Sequence, residues 1–425
     1  MHRRAFVYRL AAAAPAAALH AAQTAPSDVV RLGFVGIGIR GTQLMNAFRE
    51  VSGVKFVAAA DLYDGCLTRA GETDPGIATG KDYRALLDRK DIDAVVIATP
   101  DHHHHRMALD ALAAGKHIYL EKPMAWSIDQ CRDLLQASQR HPNQKFQTGS
   151  AAGYSPFTDA ARELIQSGAL GKVNQIRMEN HRNSPGGAWV YPVPPDASPE
   201  SIDWPRFLGS TPKKAFDPKI FFRWRCWWEY SGGVATDLFV HQLSLLHGMM
   251  SVDQPTSVVA QGGLYKWTDG RTVPDLLQAV YEYPGFLATL HVNLGNGRGT
   301  GATNVIHGTE GTIIIEGRGK MIYYPERIEE DVQSYGTLQW PKAMRARYFE
   351  EHGWTAEGQP KQPAPEPKPE RVIEIAQKPS AQAAFINAIR QGTPVAESAA
   401  HGCHAASAAH LANDSFRKGR RLSLT

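Results

Sequence analysis

The chain has 425 residues, 43% apolar and 21% charged, proportions that suit a globular protein large enough for two domains. Three of its 46 basic residues, Arg3, Arg4 and Arg9, lie in the first ten positions; the remainder nearly balance 42 acids, so there is no electrostatic case for nucleic acid or an anionic membrane. Cys66, Cys131, Cys226 and Cys403 show no C-x-x-C or metal-ligand spacing and no disulfide framework.

In chain order, His2-Arg3-Arg4-Ala-Phe-Val precedes a weakly apolar, alanine-rich run from Leu10 to Ala22. The pattern reads as a twin-arginine leader over residues 1–25, with a periplasmic or secreted destination. Pro15 and His20 interrupt a run already too short to span a membrane.

Arg31-Leu-Gly-Phe-Val is an apolar strand that enters Gly36-Ile37-Gly38-Ile-Arg40-Gly41. In such a G-x-G-x-x-G turn the first glycine permits the sharp bend, the second lets the backbone approach a pyrophosphate, and the third lets helix and strand pack closely. The diphosphate then meets a helix N-terminus, where free N–H groups favour anions. A second strand, Val54 to Ala60, ends at Asp61, twenty residues beyond Gly41, where such folds place the acid that binds ribose hydroxyls. That carboxylate favours NAD, while neighbouring Arg69 leaves NADP open.

Strand and helix alternate onward: a strand over residues 92–99, a helix through 106–114, a strand at 116–120, a helix near 128–140 and a strand at 145–149. Repeated units of this length predict a parallel sheet covered by helices. The pattern then changes. A helix over 157–167, closed by Gly168 and Gly171, is followed by strands at 173–179, 256–261, 277–283, 288–293 and 312–315, which predicts a mostly antiparallel sheet. Residues 356–371 read as an exposed proline-rich and charged loop, and two helices, over 381–390 and about 401–418, close the chain. The expected division is a leader over 1–25, a dinucleotide-binding domain over 30–150 and a second α/β domain over 151–425, its last helices packing back toward the first.

Asp237 and His241 stand at i and i+4, so a helix would present both from one face. A histidine can take a hydroxyl proton as hydride leaves the same carbon, and a carboxylate beside it can orient the ring. Lys122, in Glu121-Lys122-Pro123, can donate a hydrogen bond to the developing alkoxide, and Pro123 fixes the backbone there, with a cis bond as one way to do so. The run His102 to His105 lacks the spacing of a metal site.

Gly36-x-Gly38-x-x-Gly41, Thr99-Pro100-Asp101 followed by histidines, Ala114-Gly-Lys-His117 leading into Glu121-Lys122-Pro123, and Asp237-Leu-Phe-Val-His241 occur in an order that resembles the Gfo/Idh/MocA oxidoreductases, from about residue 30 to the C-terminus. The resemblance implies a Rossmann domain followed by an α/β domain with a large open sheet, a homo-oligomer formed through that sheet, and a sugar or polyol as substrate. It also implies a cofactor set of Gly36, Ile37, Gly38, Arg40, Gly41, Asp61, Thr99, Pro100, His104 and Glu121, with NAD as cofactor. Lys122, Asp237 and His241 form the expected catalytic set. Arg223, Arg225 and Trp228, in an aromatic run, join Lys122 and His241 as expected substrate contacts, although rings of this run can equally pack in the core. Ser231 replaces a glycine of a common triple-glycine turn, Phe239 stands where glycine is frequent, and Ala151-Ala-Gly153 offers little polar surface, so the pocket is expected to be remodelled. Two rivals to a simple dehydrogenase remain. One is redox-neutral glycoside cleavage or epimerisation on tightly bound NAD; the other is a non-catalytic sugar-binding protein.

Overall fold

The protein, seen in a computed structural model, is described for residues 28–150, 152–297, 302–317, 319–326, 334–361 and 368–424. The leader expected over 1–25 and Ala151 lie outside these residues.

The first sheet has six parallel strands: β1 Val30–Val35, β2 Val54–Ala60, β3 Ala78–Gly80, β4 Ala94–Ile97, β5 His117–Leu120 and β6 Phe146–Thr148, in the order β3-β2-β1-β4-β5-β6. Its central strands are apolar along nearly their whole length because helices cover both faces. The order reverses beside β1, so the loops after β1 and β4 diverge there and leave a crevice at the carboxyl ends of the strands.

The second sheet has eight strands: β7 Val173–His181, β8 Ser257–Gly263, β9 Leu276–Tyr283, β10 Phe286–Asn293, β11 Ala302–Gly308, β12 Gly311–Glu316, β13 Lys320–Pro325 and β14 Arg371–Val372. They run in the order β14-β13-β12-β11-β7-β10-β9-β8, and all neighbours are antiparallel except β7 and β10. This is the α/β architecture expected, with one parallel and one mostly antiparallel sheet. Along β9 and β10 buried residues alternate with accessible ones, so one face packs on helices while the other carries exposed Val259, Val280 and Leu287.

Four strands, β3, β11, β13 and β14, were not expected, since each becomes a strand only by pairing with a neighbour: β3 with β2, and the others with β7, β12 or each other. Short helices Trp204–Leu208 and Pro218–Phe222 were also absent from the sequence reading; Asp203 and Asp217 cap them, but five residues are too few for a periodic signal. Of the loop expected at 356–371, the described part ends in β14, paired with β13.

The helix Ala381–Gln391 packs on the first sheet, where Phe385 lies edge-on to Tyr119 at 5.7 Å and to Phe48 at 6.4 Å. The helix Ala399–Lys418 lies against Ile128–Arg140 of the first domain and Val240–Met250 of the second. It is rich in alanine and carries one glycine at a close approach: a Cβ at Gly402 would stand 2.3 Å from Thr148 Cγ2. Among the described residues no helix is long and apolar enough to cross a membrane.

Phe385 is fully buried between the two aromatic rings, so Phe385→Ala is expected to destabilise the protein by about 3–5 kcal/mol. Denaturant unfolding followed by fluorescence measures it; an unchanged midpoint would show that the C-terminal helix does not stabilise the first domain.

Candidate active site

β1 ends at Gly36, whose φ of +87° only glycine adopts easily. A Cβ on Gly41 would fall 2.0 Å from the Gly36 carbonyl oxygen, whereas one on Gly38 would meet nothing within 4 Å. The turn is therefore closed beneath and open above, with the first N–H groups of the helix Ile39–Arg49 facing the opening. A cavity of about 680 Å³ extends from this turn past Asp61, Thr99 and Pro100 to Trp224 and Arg225 of the second domain. Bare glycine backbone, a helix N-terminus and an acid at the end of β2 fit a dinucleotide.

Asp61 accepts hydrogen bonds from the Ile37 N–H at 2.6 Å and the Tyr63 N–H at 3.0 Å. Burial raises its pKa, and these backbone donors oppose the rise. Arg40, on the first helical turn, donates to Glu121 Oε1 at 2.7 Å and so ties the glycine turn to the loop after β5. Arg69 borders the same cavity and pairs with Glu72.

Lys122 follows Glu121 and precedes a cis peptide bond to Pro123. Its Nζ donates to Asp237 Oδ1 at 2.7 Å and to the Asp237 carbonyl at 3.0 Å, and Arg225 Nε donates to the same Oδ1 at 3.1 Å. Lys122 and Asp237 side chains are each only 12% exposed. Burial pushes the Asp237 carboxyl up, but the adjacent Lys122 and Arg225 charges outweigh it and hold the group well below the usual carboxylate range. The cluster abuts the cavity at Arg225.

One expectation is corrected here. The Asp237 carboxylate accepts its hydrogen bonds from the two cations, and among the described residues none joins it to the His241 ring. The chain from Ala235 to Phe239 is a π-helical turn and becomes α-helical only at Val240, so Asp237 and His241 are not spaced as on one regular helix. Burial, then the Lys122 charge, lower the His241 pKa to about 3 against the opposing effect of Asp237, leaving a neutral imidazole beside the cluster at neutral pH.

The histidine run disperses. His102 and His103 each bond the Phe207 carbonyl, at 2.8 and 3.0 Å, and His105 meets Asp133 at 2.7 Å. His104, expected at the cofactor, is buried with Nδ1 at 2.7 Å from the Pro123 carbonyl and Nε2 at 2.9 Å from that of Thr99. It holds the two loops that flank the cavity together and does not line it. Arg223 donates to the Tyr191 carbonyl at 2.6 Å and supports a loop. Trp228 turns into a separate cavity of about 550 Å³, under the Arg417 guanidinium at 5.4 Å from its ring. Trp224, four residues earlier, lines the main cavity and stacks on Arg225 at 4.2 Å. Phe239 is fully buried core, so the expected remodelling of the pocket does not pass through it.

Sequence reasoning missed Asp101. It opens the helix Asp101–Ala113, is 3% exposed, and accepts from the Gly232 N–H at 3.4 Å, at the turn that leads into the π-helical segment. The only signal was its place in Thr99-Pro100-Asp101, where a helix-start carboxylate reads as an N-terminal charge. Burial pushes its carboxyl up to about 7, against the pull of Arg225 and Lys122.

A model of the oxidoreductase family's NAD-binding Rossmann fold matches residues 30–150, and a model of the GFO/IDH/MocA C-terminal domain matches residues 207–314. Together they cover more than half of the chain. It belongs to the GFO/IDH/MocA oxidoreductase family, and its first domain binds NAD. A glycosyl hydrolase family 109 protein of Shewanella baltica is 38% identical over 122 residues, and an alpha-N-acetylgalactosaminidase of Shewanella oneidensis 37% over 122 residues. Each of these matches spans 27% of this chain and 27% of the relative, about a quarter of its length. A levoglucosan dehydrogenase in complex with NADH and levoglucosan shares the fold with a TM-score of 0.64 at 19% identity, covering 93% of this chain and 99% of that one.

Because the folded protein holds the Asp101 proton more tightly than an unfolded chain, with a pKa near 7 against 3.8, stability contributed by this group falls as pH rises through that window. Asp101→Asn keeps an acceptor for Gly232 and removes the titration. Its stability relative to the original protein is expected to rise from pH 4 to 7 and to level above, read by thermal melts; a flat difference would mean that the carboxyl ionises normally.

Proposed function

We propose that this GFO/IDH/MocA protein transfers a hydride between the carbinol carbon of a sugar or polyol and NAD. The observation that carries the reading is the Lys122–Asp237–Arg225 cluster with a neutral His241 beside it, set against the end of the dinucleotide cavity. The second side of that cavity offers Trp224 stacked on Arg225, a flat apolar face beside hydrogen-bond donors, which suits a polyhydroxylated ring.

NAD supplies the hydride acceptor when bound. Gly36, Gly38 and Gly41 provide a bare cradle for its diphosphate, and Asp61 an acceptor for ribose hydroxyls. His241, neutral at Nδ1 or Nε2, takes the hydroxyl proton while hydride leaves the same carbon, so the alcohol becomes a carbonyl. Lys122 Nζ donates a hydrogen bond to the oxygen as it gains negative charge. Asp237 acts through the two cations: it fixes Lys122 and Arg225 and balances their charge.

Redox-neutral glycoside cleavage is a second reading, favoured by the names of the relatives matched over the first domain. It uses the same proton and hydride positions and needs no added acceptor, so turnover of a glycoside in the absence of any external oxidant separates the two.

We also infer export through the leader, supported by Arg3-Arg4 ahead of the alanine-rich run. Replacing both by lysine is expected to move the protein from the exported to the cytoplasmic fraction; unchanged fractionation would remove this reading.

Lys122→Ala is expected to lower kcat by about 10²–10³-fold, and His241→Gln by about 10²–10⁴-fold, with NADH still bound by both. Fluorescence titration and steady-state rates test this together; full turnover by Lys122→Ala would overturn the assignment.

A further inference from the structure

The two ends of the dinucleotide cavity differ in how their charges are matched. Along the cofactor half each cation has a carboxylate of its own: Arg40 with Glu121 at 2.7 Å, Arg69 with Glu72 at 3.3 Å and Lys81 with Asp64 at 2.9 Å. At the Arg225 end, Lys122 and Arg225 share one oxygen of Asp237, and one carboxylate cancels only one of them. Asp101, the second carboxyl beside these cations, is 3% exposed; with its pKa pushed up to about 7 it supplies only part of a charge at neutral pH.

Arg182 adds a third cation. It follows β7, and its N–H donates to the Asn293 carbonyl at 2.8 Å, so the alternation of the strand continues through it. That places Arg182 on the face of buried Ile176 and Met178, and Glu179 and His181 on the other, where they meet each other at 3.5 Å. Burial and then the Lys122 and Arg225 charges act most on the Asp237 carboxyl, but Arg182 adds to the downward pull, and its charge also reaches His241 and Tyr191 of the cavity wall. Arg182 Nε donates to Asn180 Oδ1 at 3.3 Å, a neutral partner, and among the described residues Arg182 enters no ion pair. The acids of the loop between β8 and β9 do not serve it: Asp269 is held bidentately by Arg271, and Asp275 accepts the N–H groups of Tyr265, Lys266 and Trp267.

Positive charge gathered in a part-buried site without a matching acid is costly until an anion enters. The diphosphate of NAD belongs at the glycine turn, at the far end of the cavity, and leaves this surplus in place. We propose that the substrate is a sugar acid, a uronate or an aldonate, whose carboxylate is held by Arg182 and Arg225 while its carbinol lies between Lys122 and His241. The planar forks of two arginines match the paired oxygens of a carboxylate, and the fork of Arg225 is fixed by Trp224, stacked at 4.2 Å, and by its Nε bond to Asp237. The carboxylate does not react: the carbinol gives its hydride to NAD and its hydroxyl proton to His241, and becomes a carbonyl. The inference rests on the hydride-transfer reading and narrows its substrate.

Matched pairs test this on the full chain: glucose against glucuronate, galactose against galacturonate, and glucitol against gluconate. Each is supplied with NAD and followed by NADH absorbance, and each is titrated against the fluorescence of bound NADH. In at least one pair the acid is expected to show a kcat/KM at least about tenfold above that of its neutral partner, the size of a charge-assisted contact. Arg182→Gln is expected to erase that preference, mostly through KM, and Arg182→Lys, which keeps the charge and loses the fork, to retain part of it; thermal melts check that both variants fold. Neutral members turned over as well as or better than the acids in every pair would overturn the sugar-acid assignment and leave hydride transfer standing. An acid preference that survives Arg182→Gln would overturn the role given to Arg182. No turnover and no change in NADH fluorescence with any member would overturn hydride transfer from sugars and polyols itself, and the inference with it.

Discussion

The carboxylate of Asp237, gripped by Lys122 from one domain and Arg225 from the other, is the constraint on which the site depends. A carboxylate this deep is costly to ionise unless cations satisfy it, and two buried cations are costly without the carboxylate, so each group requires the others. The geometry follows. Lys122 sits on the loop that leaves β5, Asp237 on a widened helical turn of the second domain, and Arg225 on the aromatic segment, and one shared oxygen fixes all three elements relative to one another.

The same cluster sorts the neighbouring titratable groups. Asp237, in contact with both cations, stays ionised; Asp101, buried and accepting one long hydrogen bond from the Gly232 N–H at 3.4 Å, holds its proton toward neutrality. Two carboxyls in one charge cluster thus have their pKa values pushed in opposite directions through environment alone. His241, part-buried and close to the Lys122 charge, is held neutral, which is the form that accepts a proton.

Contacts across the domain junction place that chemistry beside the cofactor. Arg40 and Glu121 couple the glycine turn to the lysine loop, His104 couples the loops after β4 and β5, and residues between 191 and 225 of the second domain form the outer wall. The cavity is therefore made of both domains, and neither half alone contains a complete site.

The amino-acid sequence by itself determined the first domain almost element by element. Its central strands are apolar along nearly their whole length, Gly36 and Gly41 stand where the turn permits no Cβ, and Asp61 falls at the end of β2, all consequences of local geometry. It also identified Lys122, Asp237 and His241 as a group. Tertiary structure decided how they are arranged. Asp237 lies on a π-helical turn, which has no periodic signature, and its carboxylate meets the cations rather than the histidine. The aromatic run was legible as a run, but which ring meets the cavity was not, because Trp224 and Trp228 differ only in how the chain bends between them. The burial of Asp101 and the hydrogen bond from Tyr63 to Asp196 were invisible for a related reason: each joins residues more than a hundred positions apart, and no local pattern encodes a contact made at that distance.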